Sequence, residues 1–346
     1  MSTTTTSRAD TFCLNLRFLL IVTVFVANAI EPLIIQHESL HALYVWIFTF
    51  HMPLFVFVTG YFAKNNLGGP EGRKILMQIV VQYVIFQSFY SLMQFFVFRT
   101  MTMEYSFFIP YLLLWFLVSH LSWRILLPIF AKFKHPILFA IVVAVLIGYG
   151  NFTGTFASIS RTFVYLPFFM IGYYFDYSRF VQLFTTKIRL LAGFLSIALL
   201  AVIGLTTKDL NPQWLFGSFT FSYFGYHEWY VGIYRLLIYT LELIAAVSFL
   251  AFVPQRISWI TDFGRRTVYV FLLHELIIRS AVASGIYKHI TEPIELIIVI
   301  AAAIGCTLLL SLPITKKLTH LIIEPKIHYY VIDRTPLRKW IHRPTN

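Results

Sequence analysis

Ten apolar stretches run the length of this 346-residue chain, and they constrain its fold more than any other feature. Each is close to the roughly 17 to 25 residues that a helix needs to cross a bilayer core, the fifth and seventh being a little short. The sequence therefore predicts an all-α integral membrane protein, a bundle of about ten transmembrane helices. The predicted spans are residues 14–35, 42–63, 75–98, 107–130, 136–150, 160–177, 190–206, 230–253, 268–286 and 294–314.

Lysine and arginine fall mainly on alternate gaps between these stretches. The N-terminal segment, every second loop and the C-terminal tail hold most of the 27 Lys and Arg residues. Because cytoplasmic loops are enriched in these residues, the pattern predicts that both termini are cytoplasmic. The chain then divides into a cytoplasmic N-terminal segment (1–13), a ten-helix transmembrane domain (14–314) and a basic cytoplasmic tail (315–346).

The composition agrees with a membrane protein. A chain that is 58% apolar and only 12% charged cannot cover itself with a soluble surface. Its formal charge of +12 suits cytoplasmic loops beside anionic lipid, so we expect the bilayer as a partner and no nucleic acid. The first residues lack the cleavage pattern of a signal peptide, so we expect span one to be retained. The expected location is a cell membrane, such as a bacterial plasma membrane, crossed many times.

Ionisable side chains inside the spans are the first candidates for function, because each costs about 2.5 kcal/mol or more at membrane depth. Arg17 and Asn28 lie eleven residues apart in span one, about 16 Å of rise and about 20° of rotation, so they share a helix face. They suit a narrow polar passage, or else a cytoplasmic anchor and an amide that bonds a neighbouring helix.

His51 lies mid-way in span two, just before Pro53, which predicts a kink and free carbonyls beside the imidazole. An imidazole there can accept a proton from an alcohol near neutral pH. The alternative is a neutral histidine that hydrogen-bonds a neighbouring helix.

Two further patterns are less specific. The segment His37-Glu38-Ser39-Leu40-His41 matches the HExxH zinc-protease motif, but it falls in a short external connection and no third ligand is identifiable. We expect no metal. On the cytoplasmic side, Arg73, Lys74, Arg265 and Arg266 are placed to gather phosphates, although the positive-inside rule alone also explains them.

Several motifs occur in an order that is typical of one family. They are Asn15-Leu16-Arg17 in span one; Phe50-His51-Met52-Pro53 and Gly60-Tyr61-Phe62 in span two; Trp115-Phe116-Leu117 in span four; Ser160-Arg161-Thr162, Pro167-Phe168-Phe169 and Gly172-Tyr173 in span six; and Gly264-Arg265-Arg266-Thr267 with Leu272-Leu273-His274 in span nine. In this order and over nearly the whole chain, the sequence resembles the acyltransferase 3 superfamily, and most closely its fucose 4-O-acetylase-like branch.

The resemblance implies transfer of an acyl group, usually acetyl, from cytoplasmic acetyl-CoA or another acyl-CoA. The acceptor is a hydroxyl of a cell-surface polysaccharide or lipid-linked sugar on the outer side. The family usually carries a basic residue and a catalytic histidine eleven positions apart in span one. Here Arg17 matches the basic residue, but Asn28 stands at the histidine position, and an amide is no general base at neutral pH. Either another base serves, or the site is catalytically altered, or the fold has been kept for another task.

If another base serves, His51 is the first choice, with Asn28 orienting the acceptor hydroxyl or stabilising the thioester oxyanion. Glu31, one turn further on, would orient the base or bind the acceptor. The predicted CoA-binding residues are Arg17, Arg73, Lys74, Arg265 and Arg266, and the predicted substrate-binding residues are Arg161, Trp115 and His274. His274 would act as a second acid–base group or only pack its helix.

A transporter or flippase for a glycan or its lipid-linked precursor is the alternative. Arg17, Asn28, His51 and Arg161 suit a polar passage as well as an active site. The sequence shows no internal repeat of the kind that many transporters have.

Overall fold

The computed structural model describes residues 7–64, 67–97, 106–150, 154–206 and 210–325, and within these ranges the protein consists of helices without strands. The helices are α1 (Arg8–Ile30), α2 (Glu38–Phe48), α3 (His51–Ala63), α4 (Gly69–Phe96), α5 (Trp115–Phe130), α6 (Pro136–Ile147), α7 (Ile159–Tyr173), α8 (Tyr177–Leu183), α9 (Thr186–Thr206), α10 (Gly232–Leu250), α11 (Trp259–Gly264), α12 (Thr267–Ala283), α13 (Pro293–Leu310) and α14 (Pro313–Ile323).

Within the described ranges, seven helical segments are long and apolar enough to cross a membrane, which makes the chain a multi-pass membrane protein. They are Arg8–Leu33, Glu38–Ala63, Gly69–Phe96, Leu112–Phe130, Thr186–Thr206, Trp229–Leu250 and Pro293–Leu310. The other three predicted spans correspond to the shorter helices α6, α7 and α12, of 12, 15 and 17 residues. The count of ten spans and the cytoplasmic placement of the termini stay predictions.

The second predicted span is broken rather than kinked, since two residues separate α2 from α3. Pro53 lies in the first turn of α3, where its missing N–H is no loss. Two side chains satisfy carbonyls at the break. The His51 Nδ1 atom donates to the Ile47 carbonyl at 2.8 Å, and the Thr49 hydroxyl donates to the Trp46 carbonyl at 2.7 Å.

Helices α3 and α7 pack backbone to backbone through two glycines. A Cβ atom on Gly60 would overlap the Phe169 carbonyl, and one on Gly172 would overlap the Phe57 carbonyl. Small residues allow such close approach of membrane helices, where packing and not hydrophobic exclusion holds helices together. Both glycines belong to the motifs that carry the family resemblance, so packing explains their presence.

Helix α1 lies at the centre of the bundle, against α3, α11, α12 and α13. Of its 23 residues 14 are buried, between Thr11 and Ile30. The same kind of glycine contact fixes its first half, because a Cβ atom on Gly264 would overlap the Leu14 carbonyl. Because α1 contacts both α3 and α12, its polar residues reach side chains from each of these helices.

The predicted terminal segments are partly helical. Helix α1 begins at Arg8, within the predicted N-terminal segment. Residues 313–323 form α14, which packs on α4 and α12, with Ile323 fully buried and its carbonyl accepting a 2.6 Å bond from the Gln82 side chain. Residues 326–346 of the predicted tail lie outside the described residues.

Candidate functional site

A polar cavity of about 180 Å³ lies among α1, α2, α3, α5, α7 and α12. We call it the first cavity. Its walls combine aromatic rings with polar side chains from four of these helices and from the turn after α1, namely Asn28, Glu31, His51, Arg161, Glu275 and Arg279. Four of these six residues were predicted from sequence as site residues. The structure therefore gathers residues that are far apart in the chain around one space.

Asn28 is oriented by His274. The Asn28 side-chain nitrogen lies 3.0 Å from His274 Nε2. His274 Nδ1 lies 3.0 Å from the Val270 carbonyl and 2.9 Å from the Phe271 carbonyl, so it must carry the proton and donate. In a neutral imidazole Nε2 is then the acceptor, which requires that Asn28 turns its NH₂ group to His274. The second amide hydrogen and the amide oxygen of Asn28 remain for the cavity that Asn28 lines.

His51 occupies the wall contributed by α3, at the helix break. Its Nδ1 donates to the Ile47 carbonyl, which assigns the lone pair to Nε2. The ring is 3% exposed and packs edge-on against Phe48, with centroids 4.5 Å apart. An imidazole held in one tautomer by a backbone carbonyl, with Nε2 toward a polar space, has the arrangement required of a general base.

An ion pair on α12 adds opposite charges to the lining of the first cavity. Arg279 Nε lies 2.6 Å from Glu275 Oε1, and the Glu275 side chain is only 6% exposed. Glu31, exposed at the end of α1, lines the cavity beside this pair. The first cavity thus holds two carboxylates and two guanidinium groups, Arg279 and Arg161.

Arg161 and Trp115 form the aromatic part of the site. The Arg161 guanidinium carbon lies 4.7 Å from the Trp115 ring centroid, a cation–π contact. Arg161 Nε also donates to the Phe216 carbonyl at 3.3 Å, and Trp115 stacks on Tyr165 with centroids 5.7 Å apart. Since the guanidinium and the Tyr165 ring both lie against the indole, the N–H groups of Arg161 are the part of this cluster that can donate to hydroxyl oxygens.

A second cavity, of about 390 Å³, lies nearer the start of α1. Its polar lining is mainly basic and amide, and consists of Arg17, Thr59, Gln78, Gln82, His120, Arg124, Arg265, Thr267 and Glu324. Guanidinium groups are the side chains best suited to bind phosphate oxygens in pairs. Of the described residues, the two cavities have three in common, namely Phe55, Phe116 and Phe271.

Four residues predicted from sequence lie away from both cavity linings. Arg73 and Lys74 are exposed in the first turns of α4. Arg266 donates to the Ser311 carbonyl at 2.6 Å and pairs with Asp262. His274 is fully buried behind Asn28. Of the predicted CoA-binding residues, Arg17 and Arg265 are those that line the basic cavity.

Sequence reasoning did not predict several of the lining residues as site members, among them the following four ionisable ones. His120 and Arg124 line the second cavity, while Glu275 and Arg279 line the first. His120 lies inside a predicted span, so its cost at membrane depth was a signal for it. The spacing of residues 116, 120 and 124, one helical turn each, was a second signal, because it places them on one face of α5.

The HExxH segment forms no visible metal site. His37 precedes α2, and the His41 backbone N–H bonds its carbonyl at 3.0 Å. Throughout the described ranges, no three His, Cys, Asp or Glu side chains group so that they could hold a metal ion.

Comparisons of this chain with protein-family models, with curated proteins and with solved structures find no match. Any inference about function therefore depends on the geometry and chemistry of the two cavities.

Proposed function

We propose that this protein is a membrane-bound O-acyltransferase that moves an acyl group, acetyl in the first place, from acyl-CoA to a hydroxyl group. The acceptor is a cell-surface polysaccharide or a lipid-linked sugar. We further propose the ten-span topology with both termini in the cytoplasm, which places the second cavity on the cytoplasmic side and the first on the outer side.

One observation carries the proposal, namely that a basic cavity and a cavity with an oriented imidazole lie back to back. The second cavity offers Arg17, Arg124 and Arg265, charges that complement the phosphates of CoA. The first offers His51, with the N–H groups of Arg161 to donate to the hydroxyl oxygens of a sugar. A donor bound in one cavity can thus extend its thioester toward an acceptor bound in the other.

The chemistry follows from these positions. His51 Nε2 takes the proton of the acceptor hydroxyl as its oxygen attacks the thioester carbonyl carbon. The free amide hydrogen of Asn28 donates to the oxyanion that forms on the carbonyl oxygen. The carbon–sulfur bond then breaks, and the sulfur leaves as the thiolate of CoA. His51 transfers the proton that it took from the hydroxyl to this sulfur. The products are the acyl ester and free CoA, with every atom accounted for.

The experiment measures acyl-CoA consumption by purified protein in lipid nanodiscs. It compares the native chain with His51→Ala, Asn28→His and a matched control, His41→Ala, whose imidazole lies outside both cavity linings. We expect native turnover, its loss in His51→Ala and its retention in His41→Ala. Size-exclusion profiles show whether each variant is folded.

Two other outcomes redirect the proposal. Activity gained only in Asn28→His would mean that position 28 disables the native site. If no variant consumes or binds acyl-CoA, the enzyme proposal fails. Substrate-driven flux of a glycan precursor without CoA would then favour a transporter, for which two cavities separated by a thin wall are also suitable.

A further inference from the structure

The wall between the two cavities consists of three phenylalanine rings from three helices. Phe55 comes from α3, Phe116 from α5 and Phe271 from α12, and within the described chain these three residues alone line both spaces. The polar linings on either side share none of their members. Any group that passes from the basic cavity to the imidazole must therefore pass these rings.

The Phe116 ring contacts each of the other two rings edge to face. The centroids of Phe55 and Phe116 are 5.7 Å apart with planes at 83°, and those of Phe116 and Phe271 are 5.6 Å apart at 61°. Phe116 is the middle ring and is 8% exposed. It also contacts Trp123, which is fully buried, at 5.7 Å and 76°. Close packing on several sides holds the middle ring in place, so the wall has a defined shape.

A wall of three packed rings admits some parts of an acyl-CoA donor and excludes others. The phosphates and nucleotide of CoA are charged and bulky, so they stay with the arginines of the second cavity. The slim thioester arm is the part that fits between rings. During transfer the acyl carbonyl lies beside His51, so the rest of the acyl chain must fit in the first cavity, of about 180 Å³, together with the acceptor. The three rings form the floor of that space.

We propose that Phe55, Phe116 and Phe271 set the acyl-chain length that this protein transfers, by closing the space into which a longer chain would extend. This inference rests on the proposed acyltransferase function. Removing the Phe116 ring joins the first cavity to the larger second cavity, which gives a longer acyl tail room. Removing Phe271 opens the same boundary from α12.

The test measures kcat/KM with acetyl-, butyryl-, hexanoyl- and octanoyl-CoA, and the affinity for free CoA, in lipid nanodiscs. It compares the native chain with Phe116→Ala, Phe116→Leu and Phe271→Ala. The matched control is Phe194→Ala on α9, whose ring is 68% exposed. Because one methylene in an apolar pocket changes specificity by about 10-fold or more, we expect Phe116→Ala to raise the hexanoyl-to-acetyl ratio at least about tenfold.

The other variants show whether a change in chain-length preference comes from the Phe116 ring or from the substitution of any phenylalanine. Phe116→Leu should shift the ratio less, and Phe194→Ala should leave both the ratio and the affinity for free CoA unchanged. If Phe116→Ala does not fold, the Phe271→Ala and Phe116→Leu ratios decide the matter. Native turnover with the same chain-length ratio in every folded variant would overturn the inference and leave the proposed function standing. Native protein that neither binds nor consumes any acyl-CoA would remove the proposed function itself.

Discussion

Asn28 donates its side-chain amide to His274 Nε2 across a sequence separation of 246 residues. The bond joins the last turn of α1 to the middle of α12, and its acceptor belongs to a fully buried ring. His274 is thereby a positioning residue, because it fixes the direction of an amide that lines the first cavity. The residue at position 28 therefore contacts an imidazole, which α12 supplies and not α1.

Replacing Asn28 by alanine removes the donor and leaves a buried imidazole nitrogen without a partner. We expect a loss of stability of about 1 to 3 kcal/mol, the usual cost of an unsatisfied buried polar group. The measurement is thermal unfolding in detergent, followed by tryptophan fluorescence. Thr23→Ala is the control on the same helix, since its hydroxyl bonds only the Leu20 carbonyl one turn back. Equal melting temperatures for both variants would contradict the role given to this bond.

Neutralising the arginines of the second cavity should weaken CoA binding. We expect Arg17→Gln and Arg265→Gln each to raise the Kd for CoA about 10- to 100-fold, the range of one charge-assisted hydrogen bond of about 1.5 to 3 kcal/mol. Calorimetry at two salt concentrations gives the measurement. Arg73→Gln, exposed at the start of α4, serves as the control and should change the Kd less than about threefold. An equal effect of all three would show that only the overall positive charge matters.

The ion pair on α12 should contribute far more to stability than a similar pair at the surface. Arg279→Met leaves the carboxylate of Glu275, whose side chain is 6% exposed, without its partner, and we expect a cost of about 2 to 3 kcal/mol. The matched control is Arg179→Met, which breaks a pair with Asp176 whose side chains are 86% and 47% exposed. That change should fall within about 0.5 kcal/mol. Chemical denaturation of both variants in the same detergent compares them directly.

The glycine contacts between α3 and α7 predict a steric effect. Gly60→Ala forces two backbones apart, and we expect a loss of about 2 kcal/mol or more, at the upper end of overpacking effects. Gly305→Ala on α13 is the control, because a Cβ atom there meets no other group within 4 Å. It should be neutral or slightly stabilising, by up to about 1 kcal/mol, since alanine favours helix more than glycine. A stable Gly60→Ala variant would mean that the two helices can separate without loss.

Apolar length and composition predict most of this fold, because burial in lipid depends on little else. Every predicted span has a helix at its position, and seven segments in the part of the chain that the structure describes meet the length that a membrane requires. Helices α7 and α12, of 15 and 17 residues, fall outside this set, and both carry polar residues of the site. Arg161 lies in the first turn of α7, and α12 carries a histidine and an ion pair within two turns. Sequence length alone therefore leaves the number of spans open.

The site was predictable in part. The ionisable or polar character of Arg17, Asn28 and His51 inside apolar spans indicated these three residues, and the structure places all three in cavity walls. The partner of Asn28 was beyond reach, because a contact between α1 and α12 depends on packing that one sequence does not reveal. The shared wall of phenylalanines was equally hidden, since 36 Phe residues give no indication of which three meet.

The bond from His51 to the Ile47 carbonyl has a consequence for sequence change in this protein. That carbonyl also accepts the Phe50 backbone N–H at 3.2 Å, so the backbone at the break between α2 and α3 does not depend on the imidazole. What the His51 bond adds is a fixed tautomer, with the lone pair left at Nε2. Loss of the imidazole at position 51 would therefore leave a folded protein without the base that the proposed mechanism requires.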